Sequence, residues 1–170
     1  TDTYRGDGNQ DYMRYNVATT FTRAAEEGLI DTNASLHIGP RGPTMDNSVF
    51  EHTREVGFRL IDGDDLFETG LVKTADNLVE QLKDRTVYLC FDMDFFDPSC
   101  APGVCTPTWG GATAREGLGF LRKLKGLNIV GADINTVSPP HDVGGMTAFL
   151  AGAVALEILT LFCYAQNLIT

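Results

Sequence analysis

The segment 86–91, TVYLCF, constrains this chain more than any other stretch. It is an unbroken apolar run rich in β-branched and aromatic residues, with no polar alternation. A strand with one solvated face alternates, whereas an unbroken run predicts a strand of a parallel sheet covered on both faces. A second buried strand is expected at LNIVGAD, 127–133, and ends on Asp133. Between them, Thr113 and Glu116 stand at capping-box spacing ahead of AREGLGFLRKL, which predicts a helix beginning there. Strand, helix, strand, helix is the order of an α/β fold with a mostly parallel sheet, expected here as a single domain over 1–170.

Upstream, residues 1–18 are polar and Gly-rich and read as loop. TTFTRAAEEGLID predicts a short helix closed by Gly28, ASLHIG a strand running into the PRGP turn, NSVFEHTREVG a helix, and FRLI a short strand. TADNLVEQLKD is amphipathic, with Leu78, Val79 and Leu82 on one face. A closing helix is expected from Thr147 onward. Its core, FLAGAVALEILTLFCYA, contains Glu157 and reads as a buried helix rather than a membrane span. The formal charge of −10 and the lack of a basic run disfavour a nucleic-acid surface. Cys90, Cys100, Cys105 and Cys163 form no CxxC, so reduced thiols in a cytoplasmic protein are expected rather than a disulfide framework. No signal-peptide pattern is present.

The chemistry is concentrated where the first apolar strand ends, in FDMDFFDPSCAPGVCTPTWGG. In an extended segment residues i and i+2 share a face, which places Asp92 and Asp94 together. Two carboxylates so placed repel. Divalent cations relieve that repulsion, as does a shared proton, and solvated positions in a turn avoid it. Asp97-Pro98 and Pro102-Gly103 predict a rigid loop able to hold carboxylates in place. Asp133 is expected at the same sheet edge in a supporting role. His37 reads as packed in mid-strand, His52 as a helix-surface residue, and Cys100 and Cys105 as packing thiols.

These residues resemble the ureohydrolase family, the arginases, agmatinases and related guanidino-hydrolysing enzymes. FDMDFFDPSCAPGVCTPTWGG is similar to the family's D-x-D-x-x-D-P, A-P-G, T-P and G-G signature. TDTY resembles the tail of its D-A-H-x-D signature, and EEGLID, HIGPRGP and GADINTVSPPHD resemble agmatinase segments in the same order. The resemblance implies a three-layer α/β/α fold and a centre of two divalent metal ions, Mn2+ in most members and Ni2+ in guanidine hydrolases. It implies Asp2, Asp92 and Asp94 as metal ligands, with further ligands upstream of Thr1, so that the chain is the carboxyl-terminal portion of a ureohydrolase domain. It further implies a small guanidino substrate, a trimeric or hexameric homo-oligomer, and Asp94 as the carboxylate that handles the proton; no membrane or nucleic-acid partner is expected.

Three departures bear on substrate. Thr136 stands where relatives carry a guanidinium-gripping Glu, Val17 where agmatinases carry a proton-shuttling His, and Trp109 where a Pro is usual. Thr136 and Trp109 are thus the substrate-facing candidates, and His141, in SPPHD, is the one histidine offered as a replacement shuttle. The readings are an agmatinase-like hydrolase releasing urea, a hydrolase of free guanidine, and a non-catalytic member that binds metal or a partner.

Overall fold

The structure is a computed structural model that describes residues 3–7, 10–44 and 48–169. The chain forms two compact units, Thr1–Asp65 and Leu66–Thr170.

The first unit is built around a βαβ element. Strands β1 (Leu36–Ile38) and β2 (Arg59–Ile61) pair in parallel, with Leu36 opposite Arg59 and Ile38 opposite Ile61. Parallel neighbours need a crossover, and a helix provides it; α1 (Asp11–Arg14) and α2 (Thr20–Glu26) precede it in the chain, making it α3 (Val49–Val56). Gly57 ends α3 with φ of 109°, its N–H reaching the carbonyls of Arg54 and Thr53. The segment expected as loop is partly helical. Besides α1, a 3-10 turn spans Val17–Thr19, where Asn16 and Thr19 cap one another reciprocally. These are side-chain hydrogen bonds that a polar, Gly-rich composition does not reveal.

The chain enters the second unit through α4 (Gly63–Thr69), an element absent from the sequence reading, and continues into α5 (Leu71–Leu82). Of the predicted apolar face of α5, Leu78 is buried, whereas Val79 and Leu82 are only half-buried. Strand β3 (Thr86–Asp92) pairs in parallel with β4 (Asn128–Asn135), and α6 (Ala114–Lys123) crosses between them, opened by the expected Thr113–Glu116 capping box. The register steps from Val87–Ile129 to Tyr88–Gly131, so Val130 is bulged out. Helix α7 (Met146–Ala165) packs on β4 and α6, and α6 packs on α5.

Two burial features stand out within this chain. Only Phe91 of β3 is fully buried, and Tyr88 is 55% exposed. Helix α7 buries Thr147, Leu150, Val154, Ile158 and Leu161 along one stripe, yet Phe149 is 86% and Leu156 65% exposed. By length and composition α7 could cross a membrane, alone in this among the described residues. Its Glu157 is paired with Arg122 of α6, at 2.9 and 2.5 Å.

Beneath the β3 carboxyl end lies an aromatic cluster. Phe95 meets Phe91, Phe96 and Phe120 at ring separations of 5.7, 6.0 and 5.9 Å. Phe96, 1% exposed, lies against Gly117 of α6 so closely that a Cβ there would stand 2.1 Å from its Cε1. Gly117→Ala is expected to destabilise the chain by about 1–3 kcal/mol through overpacking, read as a lower urea midpoint at unchanged slope.

The first turn of α7 is capped from outside the helix. Asp142 accepts the N–H groups of Val143, Thr147 and Ala148 at 2.9, 3.0 and 3.0 Å. Burial alone would raise the Asp142 carboxyl, but donors from Ala148, Thr147 and Val143 outweigh it and hold the group below the usual carboxylate range. A folded pKa below the unfolded value of about 4 gives a contribution complete above about pH 4 and lost as pH falls through the folded value. Asp142→Asn should therefore flatten the acid limb of stability against pH in urea titrations. Identical acid limbs in both proteins would count against this cap.

Candidate active site

Ligands of parallel sheets bind beyond the carboxyl ends of the strands, and Asp92, Asp94 and Asp97 follow one another at the end of β3. Asp92 is the last residue of β3. The extended backbone stops at that point, and Met93–Phe95 form a 3-10 turn. The i, i+2 rule that gave Asp92 and Asp94 a common face therefore ends at Asp92, and the position of Asp94 is set by longer-range contacts. Its N–H donates to the Thr136 hydroxyl at 3.2 Å, and its Oδ2 accepts from the Thr106 hydroxyl at 2.7 Å. The alternation that survives is one of burial: Phe91 and Met93 point into the core while Asp92 and Asp94 are half-buried.

Asp97 organises the loop that follows. Its carboxylate accepts N–H groups from Ser99 at 2.9 Å, Gly110 at 2.9 Å and Gly111 at 3.3 Å. The Ser99 hydroxyl and N–H, followed by Gly110 and Gly111, hold this carboxyl below its ordinary range. The loop closes on itself where the Asp97 N–H meets the Ala112 carbonyl and the Ala112 N–H meets the Phe95 carbonyl. Its far side is tied to the segment after β4: Cys105 N–H to Thr136 O at 2.9 Å, and Ser138 N–H to Gly103 O at 2.7 Å. Gly103 also donates to the Thr147 hydroxyl at 2.8 Å, and a Cβ on it would lie 2.5 Å from the Asp142 Cβ, so only glycine fits. The rigidity expected from Pro and Gly is thus supplied mainly by hydrogen bonds.

The remaining candidates fall as follows. Trp109 lies in this loop and is 75% exposed. Thr136 follows β4 with φ of 69°. His141 ends the 3-10 turn Pro139–His141, its Nδ1 2.7 Å from the Ser138 hydroxyl. Asp133 lies inside β4, opposite Cys90, rather than at the strand end. It accepts from Tyr88 Oη at 2.5 Å and from Asn135, and that donated bond, then burial, pushes the Tyr88 hydroxyl up to about 12. Asp2 lies outside the described residues. Val17 is exposed at the start of its 3-10 turn. His37 is in mid-strand as expected, and burial pushes its imidazole down to about 3. His52 of α3 is half-buried, with Nδ1 3.4 Å from Glu55. Cys100 is half-buried with its thiol pushed up by burial, as a packing residue would be, whereas Cys105 is exposed.

Sequence reasoning missed Thr106 as a partner of Asp94, although the T-P pair carrying it was in view. Asp92 and Asp94 offer hard oxygen donors that suit Mn2+ or a similar divalent ion. Among the described residues no group of three or more His, Cys, Asp or Glu is positioned to hold one, so these two carboxylates fit part of a ligand set.

Comparisons with known proteins place the chain in a family. The chain is 38% identical over 160 residues to guanidinopropionase of Pseudomonas aeruginosa, covering 94% of this chain and 49% of that protein. It is 40% identical over 152 residues to an agmatinase of Photorhabdus laumondii, covering 87% and 46%. In structure it is similar to proclavaminate amidino hydrolase from Streptomyces clavuligerus, with a TM-score of 0.86, 36% identity, and coverage of 97% of this chain and 53% of that one. The chain spans about half the length of the relatives it matches. Its fold is that of the three-layer α/β/α arginase-type proteins. With the arginase family profile matching residues 2–161, the chain belongs to the arginase family.

Proposed function

We infer that this chain contributes Asp2, Asp92 and Asp94 to a binuclear metal site that hydrolyses a guanidino C–N bond and releases urea. The observation that carries the reading is the pair Asp92 and Asp94 at the β3 carboxyl end, with Asp94 held by Thr106 and Thr136. Named relatives include an agmatinase and a guanidinopropionase, which supports a guanidino compound as the substrate class.

Divalent ions held there, Mn2+ in the first reading and Ni2+ in the alternative, would supply the positive charge that makes water nucleophilic near neutral pH. Asp92 and Asp94 hold that charge in place. Water adds to the guanidinium carbon, and the C–N bond to the leaving nitrogen breaks. Asp94 takes the proton lost by the attacking water and returns it to the leaving nitrogen. The Thr106 hydroxyl on Oδ2 orients the carboxylate for this transfer. The products are urea and an amine, or ammonia when the substrate is free guanidine.

A second reading is favoured by Trp109 and Thr136. An exposed indole on the loop offers a flat face to a planar cation, worth about 0.5–2 kcal/mol, and on this reading it excludes an alkyl tail. With Thr136 replacing a carboxylate, such a site suits free guanidine. The same assay serves both readings: urea release by the full-length protein from guanidine, agmatine, guanidinobutyrate and arginine, with Mn2+ and Ni2+ compared. No release from any of them would favour a non-catalytic, metal- or partner-binding member.

Two substitutions sharpen this. Asp92→Asn should weaken metal affinity by more than about 100-fold, since loss of a ligand exceeds loss of a supporting contact; metal content after dialysis reads it, and a full complement would remove Asp92 from the ligand set. Trp109→Pro should raise kcat/KM for agmatine relative to guanidine several-fold. A wild type that already prefers agmatine, or an unchanged ratio, would return the agmatinase-like reading to first place.

A further inference from the structure

Thr136 has the left-handed backbone conformation at φ of 69°, shared among the described non-glycine residues only with Asn167. Asn tolerates that region through its short polar side chain, whereas a β-branched residue there is a strained outlier. Strain of this kind persists only where surrounding contacts over-determine it, and two such contacts are present. The Thr136 carbonyl accepts the Cys105 N–H at 2.9 Å, and its hydroxyl accepts the Asp94 N–H at 3.2 Å.

These contacts form a closed ring. From Thr136 one bond runs directly to the Asp94 backbone. The other fixes Cys105, and the next residue, Thr106, donates to Asp94 Oδ2 at 2.7 Å. One residue thereby fixes both the main chain of Asp94 and the group that orients its carboxylate. The neighbouring bridge between Val104 and Val137 and the Ser138–Gly103 bond hold the two backbones in step. A glycine at 136 would adopt the same φ without strain but could not supply the hydroxyl.

We propose that Thr136 is a positioning residue for Asp94: its left-handed conformation aims hydroxyl and carbonyl at the two segments that fix that carboxylate, and it acts on the reaction through Asp94 rather than by gripping substrate. This rests on the hydrolase reading above, and the two can fail separately.

The test uses three variants. Thr136→Val keeps shape and branching and deletes the hydroxyl. Thr136→Gly relaxes the backbone and deletes the hydroxyl, which covers the case of Val failing to fold. Thr136→Ser keeps the hydroxyl. Amide hydrogen exchange is measured on the full-length protein with neither metal nor substrate. Val and Gly should speed exchange at the Asp94 N–H by up to about tenfold, the scale of one net hydrogen bond, and Ser should stay within about threefold of wild type. In the Val variant the Cys105 N–H, whose acceptor is a carbonyl, should be unchanged and reports an intact fold. In the full-length protein, Val and Gly should lower kcat with KM little changed, and Ser should restore it. Unaltered Asp94 exchange in both Val and Gly overturns the proposal, as does a rise in KM at constant kcat, the signature of a substrate contact. Wild-type protein that releases no urea sinks the hydrolase reading instead, and the exchange data still decide whether Thr136 holds Asp94.

Discussion

The candidate site depends on Phe96 filling the notch left by the missing side chain of Gly117. Two residues earlier the chain presents Asp94, and one residue later Asp97, so the ring fixes the segment between two carboxylates. A half-buried acid is tolerable only if its backbone cannot drift toward the apolar cluster below it. The 1% exposure of Phe96 and its contacts with Phe91 and Phe95 supply that restraint. Asp97 then performs the polar half of the same task by collecting N–H groups that would otherwise be unpaired in a tight loop.

From this anchor the loop reaches the two other parts of the unit. Gly103 seats against Asp142 and bonds to Thr147, so the cap of α7 and the loop after β3 share one joint. Cys105 and Thr106 meet the segment after β4 at Thr136 and return to Asp94. The carboxylate assigned to proton transfer is therefore linked, through hydrogen bonds, to both strand ends and to the start of the longest helix.

The surface of the second unit is apolar in places that composition alone does not explain. Tyr88 and Val130 on the sheet and Phe149 and Leu156 on α7 are exposed. Tyr88 is nonetheless oriented, with its ring over Gly131 and its hydroxyl on Asp133. Helix α7 buries a single stripe although its sequence is apolar all round, a composition typical of helices covered on every side.

Local signals in the sequence determined some of the elements, though not α1 or α4. Apolar runs specified β3 and β4, the Thr113–Glu116 spacing specified the start of α6, and Gly57 specified the end of α3, since each is a property of a few adjacent residues. The same stretch that carries Asp92 and Asp94 also carried the family resemblance, because an acidic strand end followed by Pro and Gly is legible as a pattern. Tertiary structure decided what those acids touch. The 3-10 turn after Asp92, the bulge at Val130, the placement of Asp133 inside β4 and the left-handed Thr136 all follow from contacts between distant segments. Thr136 meets Asp94 across 42 positions and Tyr88 meets Asp133 across 45. Periodicity carries no record of such pairings, because a hydrogen bond between distant segments depends on how two backbones are brought together and not on the residues flanking either partner.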